Sequence, residues 1–371
     1  MGNVPTLRFT GFTDEWKQSL LKEYLVENKE RNTKGVFSKA EVLSVSGDKG
    51  IVNQIELLGR SYAGQSVLPY HIVRRNNIVY TKSPLSEFPY GIVKMNRGND
   101  GIVSTLYAVY SVQETAYPSF IEYYFASKDR TNRYFKPIVR IGAKHDMKIG
   151  NGEVLANMVR FPSIKEQRRI SEFLELIDER IATQNKIIDK LKSLIKGLTV
   201  TLTTKGKPNI AISQCLECHS STLQESEVLP NGFDKVFGAN GLVGYTNTAQ
   251  MNGDAILVIK DGSGVGTVSY AQDKFSVIGT LNYLTAIGNN NLRYLYFALS
   301  VFNFQPYRTG MAIPHIYFKD YGKAKIYCPS LTEQKRVANM LGKMESKLFL
   351  EQELWASFNS QKRYLLGQMF I

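Results

Sequence analysis

Cys215, Cys218 and His219 spell C-x-x-C-H, a run whose residue types and spacing match a covalent chemistry, haem attachment. That chemistry needs export to an oxidising compartment and an axial ligand, and the opening MGNVPTLRFTGFTDEW has no apolar secretory region. Met-Gly with Thr6 fits the loose myristoylation pattern, a frequent chance match. A zinc site would need a fourth ligand, and Cys328 or His315 stands about a hundred residues away without a second paired spacing. Reduced structural thiols are therefore expected. The four histidines, His71, His145, His219 and His315, are too scattered to define a catalytic set, and the sequence has no N-P-P-[YF] amino-methyltransferase tetrad, Walker A loop or metal-ligated nuclease cluster. None of these residues marks a catalytic site.

What remains is binding. The net charge is +13, of which +7 falls in residues 1–160 and +2 in each of 161–199, 200–329 and 330–371. Such a surplus points to a polyanion, with DNA or RNA as the expected partner, but charge alone does not separate specific from nonspecific contact. In AILVIKDGSGVGTVSY (Ala255–Tyr270), Gly262, Gly264 and Gly266 fit neither the dinucleotide fingerprint nor a phosphate loop. The flanking apolar runs predict strand, tight turn and returning strand, with Lys260, Asp261 and Ser263 at the exposed end. Side chains able to reach base edges or phosphates are expected at Arg74, Arg75, Lys82, Ser83, Lys94, Arg97, Arg140, Lys144 and His145 in the first half. In the second half they are Lys260, Asp261, Ser263, Arg308, His315, Tyr317 and Lys319.

The elements that must position these residues come in duplicate. PSIKEQRRISEFLELIDERI from Pro162 returns 167 residues later as PSLTEQKRVANMLGKMESKL from Pro329. Ser163 with Glu166, and Ser330 with Glu333, have capping-box spacing. Beyond each cap a heptad seam follows, Ile170, Leu174, Ile177, Ile181, Gln184, Ile188, Leu191, Ile195 and Leu198 in the first copy. The second runs Val337, Leu341, Met344, Leu348, Glu351, Trp355, Phe358, Lys362 and Leu365. Helices of roughly 36 to 40 residues, about 55 to 60 Å long, are expected to pair within the chain. The polar break recurs at Gln184 and Glu351, where it can set register, and a buried Glu351 must find a hydrogen bond or water.

The globular segments echo one another more faintly. IVSTLYAVYSV from Ile102 aligns with VIGTLNYLTAI from Val277, and Arg140-Ile141-Gly142 with Arg308-Thr309-Gly310, each followed by a histidine and then the Pro-Ser helix start. One fold built twice with divergent surfaces suits a reader of two different targets. The segments expected are 1–160, first globular domain; 161–199, central helix; 200–328, second globular domain; and 329–371, distal helix.

PTLRFTGFTDEW (Pro5–Trp16), the repeated PS-x-x-EQ-x-R at Pro162–Arg169 and Pro329–Arg336, and the order globular, rod, globular, rod resemble the specificity subunit of type I restriction-modification enzymes. The resemblance covers essentially the whole chain. It implies an α/β (α+β) fold, with two tandem globular target recognition domains separated by an antiparallel pair of long coiled-coil helices. It also implies a noncatalytic, cytoplasmic protein that reads a bipartite target in double-stranded DNA, each domain taking one half-site. Two modification subunits would supply adenine N6 methylation from S-adenosylmethionine, and restriction subunits ATP- and Mg-dependent translocation and cleavage, with no cofactor in this chain and no membrane. Glu166, Gln167, Arg169, Glu333, Gln334 and Arg336 match the family motif and are expected at subunit docking sites. The competing expectations are a self-contained DNA methyltransferase or nuclease, which the missing motifs disfavour, and a coiled-coil assembly factor that binds nucleic acid without sequence preference.

Overall fold

The computed structural model describes residues 4–85, 87–141 and 147–371, except the Ile141 side chain. Two helices dominate it, Ile164–Thr203 and Leu331–Gln368. The chain forms two compact units, Met1–Thr183 with Trp355–Ile371, and Gln184–Leu354. Each long helix therefore contributes one part to each unit.

Both units contain the same four-stranded antiparallel sheet. In the first the order is Leu25–Glu27, Ala108–Val112, Ile78–Tyr80, Val93–Met95. In the second it is Leu216–Ser220, Leu281–Ala286, Ala255–Ile259, Val268–Ala271. Strand alternation explains the composition of the third strand in each order, because successive side chains face opposite layers. Ile78 and Tyr80 enter one core while Val79 enters another. In the second unit Ile256 and Val258 face one core, and Ala255, Leu257 and Ile259 the other. A strand buried on both faces reads as a continuous apolar run, which is what IVY and AILVI are. A helix covers the last strand of each order, Pro118–Tyr124 in the first unit and Leu292–Ser300 in the second.

The second layers differ. In the first unit it consists of two antiparallel pairs, Leu43–Ser46 with Gly50–Asn53 and His71–Val73 with Gly101–Val103. In the second it is a four-stranded sheet in which Asp234–Gly238 and Lys274–Val277 run parallel. The faint sequence echo thus marks the shared sheet, and divergence is concentrated around it.

The heptad seam performs two tasks. Its first turns enter the domain cores: Ile170, Leu174 and Ile177 join Trp16, Phe120 and Phe161, and Val337 and Leu341 join Leu216, Tyr294 and Leu295. Farther along, the two helices meet in antiparallel sense. In the first unit Asp178 pairs with Lys362, and Arg180 stacks over Phe358. In the second, Gln184 Nε2 donates to the Glu351 carbonyl at 3.0 Å and carboxylate at 2.5 Å, so each polar break sits opposite its own counterpart in the repeat. Gln184 is buried, and the hydrogen bonds from Gln184 and Lys347 lower the pKa of Glu351. Trp355, a seam position, is left 38 % exposed.

The capping boxes form only by half. Ser163 Oγ accepts from Glu166 N, and Ser330 Oγ from Glu333 N, each at 3.4 Å. Neither glutamate turns back to its cap, because both carboxylates take cations instead.

Candidate nucleic-acid interface

In the second unit the predicted residues converge although they lie about fifty positions apart in sequence. Ala255–Ile259 and Val268–Ala271 form the expected hairpin, and its glycine turn carries Lys260, Asp261 and exposed Ser263. The segment from Arg308 to Lys319 folds against that turn. Gly262 N donates to Pro314 O at 2.9 Å, and Ile316 N to Lys260 O at 3.0 Å. Thr309 and His315 exchange both backbone hydrogen bonds, at 2.9 and 2.8 Å. His315 packs edge-on against Tyr317, 5.3 Å between centroids, and Lys319 Nζ lies 5.2 Å from the Tyr317 ring. Lys260 Nζ meets Asp261 at 2.7 Å. Arg308 reaches the neutral Gln305 Oε1 at 3.3 Å, leaving its charge available. The surface is a mixed set of hydrogen-bonding and cationic groups on a braced backbone, suited to base edges and phosphates together.

Among the described residues, the candidates of the first unit are held by separate partners. Arg74 and Arg75 occupy the turn before Ile78–Tyr80, where Arg74 is ion-paired with Glu30 (2.7 Å) and Asp100 (3.1 Å), and Arg75 N donates to Asp100. Lys82 donates to Asn151 Oδ1 at 2.9 Å, and burial lowers its pKa. Ser83 Oγ donates to the Thr81 carbonyl at 3.3 Å. Exposed Arg140 pairs with Lys148 in a short antiparallel ladder, while Lys144 and His145 lie outside the described residues. Lys94 and exposed Arg97 are ion-paired to helices of their own unit. Lys94 lies 3.8 Å from Glu122, and Arg97 bridges Glu122 (3.0 Å) and Glu175 (2.9 Å). Their positive charge is met inside the unit.

The repeated motif is built into the domains. Gln167, wholly buried, accepts from Tyr117 N (3.0 Å) and donates to Pro162 O (3.0 Å) and Thr115 O (3.1 Å). Gln334, also buried, accepts from Asn291 N (2.8 Å) and donates to Pro329 O (2.9 Å) and Cys328 Sγ (3.2 Å). Tyr117 and Asn291 are the N-caps of the sheet-covering helices, so each glutamine latches a domain to its long helix. Glu166, 1 % exposed, takes Arg8 through two bonds of 2.7 Å and Trp16 Nε1 at 3.4 Å. Glu333 takes Lys205 (2.5 Å) and Arg336 (2.7 and 2.9 Å), and these hydrogen bonds, that from Arg336 first, hold its carboxyl down at about 2. Glu166, Gln167 and Gln334 were expected at docking surfaces. Here they are buried and hydrogen-bonded within the chain, whereas Arg169 and Arg336 are exposed. Sequence reasoning missed Arg8 and Lys205 as the cations that meet the two glutamates. The quoted run PTLRFTGFTDEW contained Arg8, but nothing in the spacing tied it to Glu166.

The C-x-x-C-H run supplies part of the second core. Cys215 is buried and Cys218 half-buried, both free thiols, and His219 stacks on Tyr283 with Nε2 3.0 Å from Thr285 Oγ1. Among the described residues no three His, Cys, Asp or Glu side chains converge as metal ligands, and no helix is long and apolar enough to cross a membrane.

Residues 216–356 match the family model of the type I restriction modification DNA specificity domain. No curated protein matches the chain. Among solved structures, the type I restriction-modification system S subunit from M. genitalium superposes with a TM-score of 0.67 at 16 % identity, covering 99 % of both chains. A chain from a structure on "complex assembly and conformational transition of the type I R-M system" gives 0.54 at 15 % identity, over 96 % of this chain and 97 % of that one. The HsdS subunit from Thermoanaerobacter tengcongensis gives 0.42 at 15 % identity, over 96 % of each. The part spanning the second sheet and the start of the distal helix thus matches the type I DNA specificity domain, and the fold of the whole chain is that of type I S subunits.

Proposed function

We propose that this chain is the DNA sequence-specificity subunit of a type I restriction-modification complex, reading a bipartite duplex target and positioning partner subunits that carry out adenine N6 methylation or cleavage. The observation that carries the reading is one sheet built twice in identical strand order and latched twice to a long helix by the same buried glutamine, beneath loops that differ. A repeated frame with unlike loops is what two different half-sites require, and the match of residues 216–356 supports it.

In this reading the chain positions and discriminates, and the partners react. Exposed cations such as Arg75, Arg140 and Lys319, with half-buried Arg308, set register on phosphates, while Ser263, His315 and Tyr317 reach base edges. Lys94 and Arg97 act instead as positioning residues that tie the first sheet to the long helix through Glu122 and Glu175. Modification subunits dock along exposed surfaces of the long helices and at Arg169 and Arg336, bringing the S-adenosylmethionine site with them. Restriction subunits, where present, bring ATP and Mg.

Selection of duplexes from a random pool by the chain copurified with its modification subunits tests the proposal. Two short conserved blocks separated by a fixed number of unselected base pairs are expected. Retention without enrichment of any sequence would instead favour an assembly factor that holds nucleic acid indiscriminately.

A further inference from the structure

We propose that the loop Thr309–His315 carries an apolar wedge, Met311 with Ile313, that enters the base stack of the second half-site. This rests on the specificity-subunit reading and names an element that reads by deforming DNA. Met311 is fully exposed and Ile313 is 65 % exposed. Single exposed apolar side chains are ordinary, but these two are held out by a loop that has no freedom to fold back over them. Its base is closed by the paired Thr309–His315 hydrogen bonds, and one flank is tied to the glycine turn through Gly262 N to Pro314 O and Ile316 N to Lys260 O. His315 Nδ1 lies 3.0 Å from Ile313 O, placed to donate a further brace. Gly310 has φ +86°, and a Cβ there would stand 2.3 Å from Ile313 O, so the bend beneath the tip admits glycine alone. The loop is therefore shaped before any ligand arrives, which lowers the ordering cost of insertion.

The surroundings select the occupant. Arg308 and Lys319 flank the loop, and among the described residues neither has a carboxylate partner, while Asp261 beside them is already met by Lys260. An apolar tip on a loop bracketed in sequence by unneutralised cations complements a duplex, in which phosphates run on either side of the stacked bases. Insertion requires opening a base step, and pyrimidine–purine steps open most readily. The second half-site should therefore contain or adjoin such a step.

The test uses the full chain copurified with its modification subunits and the duplex selected by the wild type. If no split sequence is selected, the specificity reading itself fails and the wedge with it. Given a selected duplex, 2-aminopurine is placed at successive positions of the second half-site. A rise in fluorescence on binding is expected at one step other than the methylated adenine, removed by Met311→Ala and restored by Met311→Leu. Met311→Ala should bind on the order of tenfold more weakly, with no change on a duplex that keeps the first half-site alone. No rise away from the methylated adenine, or an equal rise in Met311→Ala, overturns the wedge. Loss of the modification subunits from the Met311→Ala complex on size exclusion also overturns it, assigning the tip to a protein contact.

Discussion

Replacing Gln167 by alanine removes a side chain that satisfies one buried amide and two carbonyls, those of Tyr117, Thr115 and Pro162. Three neutral hydrogen bonds at about 1 kcal/mol each, with stranded backbone groups adding to the loss, give a cost of roughly 3 kcal/mol or more. Gln334→Ala loses two comparable bonds and one to sulfur, so the expected cost is about 2 kcal/mol. The two tryptophans, Trp16 and Trp355, both belong to the first unit, so their fluorescence follows that unit during urea unfolding. With a slope of about 2 kcal/mol/M, Gln167→Ala should move the tryptophan midpoint down by roughly 1.5 M. Gln334→Ala should leave that transition in place and shift the helical signal of the second unit. A shift under about 0.5 M for Gln167→Ala, or an equal effect of Gln334→Ala on tryptophan, refutes the latch.

His71 is buried with its pKa pushed down to about 4, chiefly by burial. The unfolded state then binds the proton first, so stability is full above about pH 6.5 and falls by roughly 3 kcal/mol as pH drops toward 4. His71→Phe should flatten that stretch of the urea midpoint against pH, and an unchanged profile would remove His71 from the account. Arg308→Ala should reduce the slope of log affinity against log salt on nonspecific duplex by about 1. Arg97→Ala should leave that slope alone while lowering the midpoint of the first unit, because its charge is met by Glu122 and Glu175. Matched removal of 184–190 and 345–351 should change the gap of the selected sequence and leave both half-sites as they were. The wild-type gap in that variant would count against the helices as the spacer.

The long helices were legible because their signal is local: a serine cap, a heptad run and a repeat that verifies itself at a distance of 167 residues. The strand Ala255–Ile259 was legible for the same reason, as a short apolar run ending in turn residues. Side-chain partners were not. Glu166 and Glu333 have capping-box spacing, yet a cation from a distant segment competes better for a carboxylate than the cap amide does. Arg97 looks like a surface cation until folding brings Glu175, 78 residues away, to 2.9 Å. The Lys260–Asp261 turn was visible as a hairpin end, but its union with Arg308–Lys319 depends on hydrogen bonds to Pro314 and Ile316 that no local pattern records. Met311 and Ile313 went unremarked because an apolar pair between Gly310 and Pro314 looks like buried loop until its exposure is known.

A genome-wide map of N6-methyladenine in a host free of other such systems, made after coexpressing this chain with its modification subunit, tests the central claim most directly. The account predicts methylation at a split sequence with a fixed gap that disappears when this chain is omitted. Methylation without a motif, or the same motif in the absence of this chain, would contradict it.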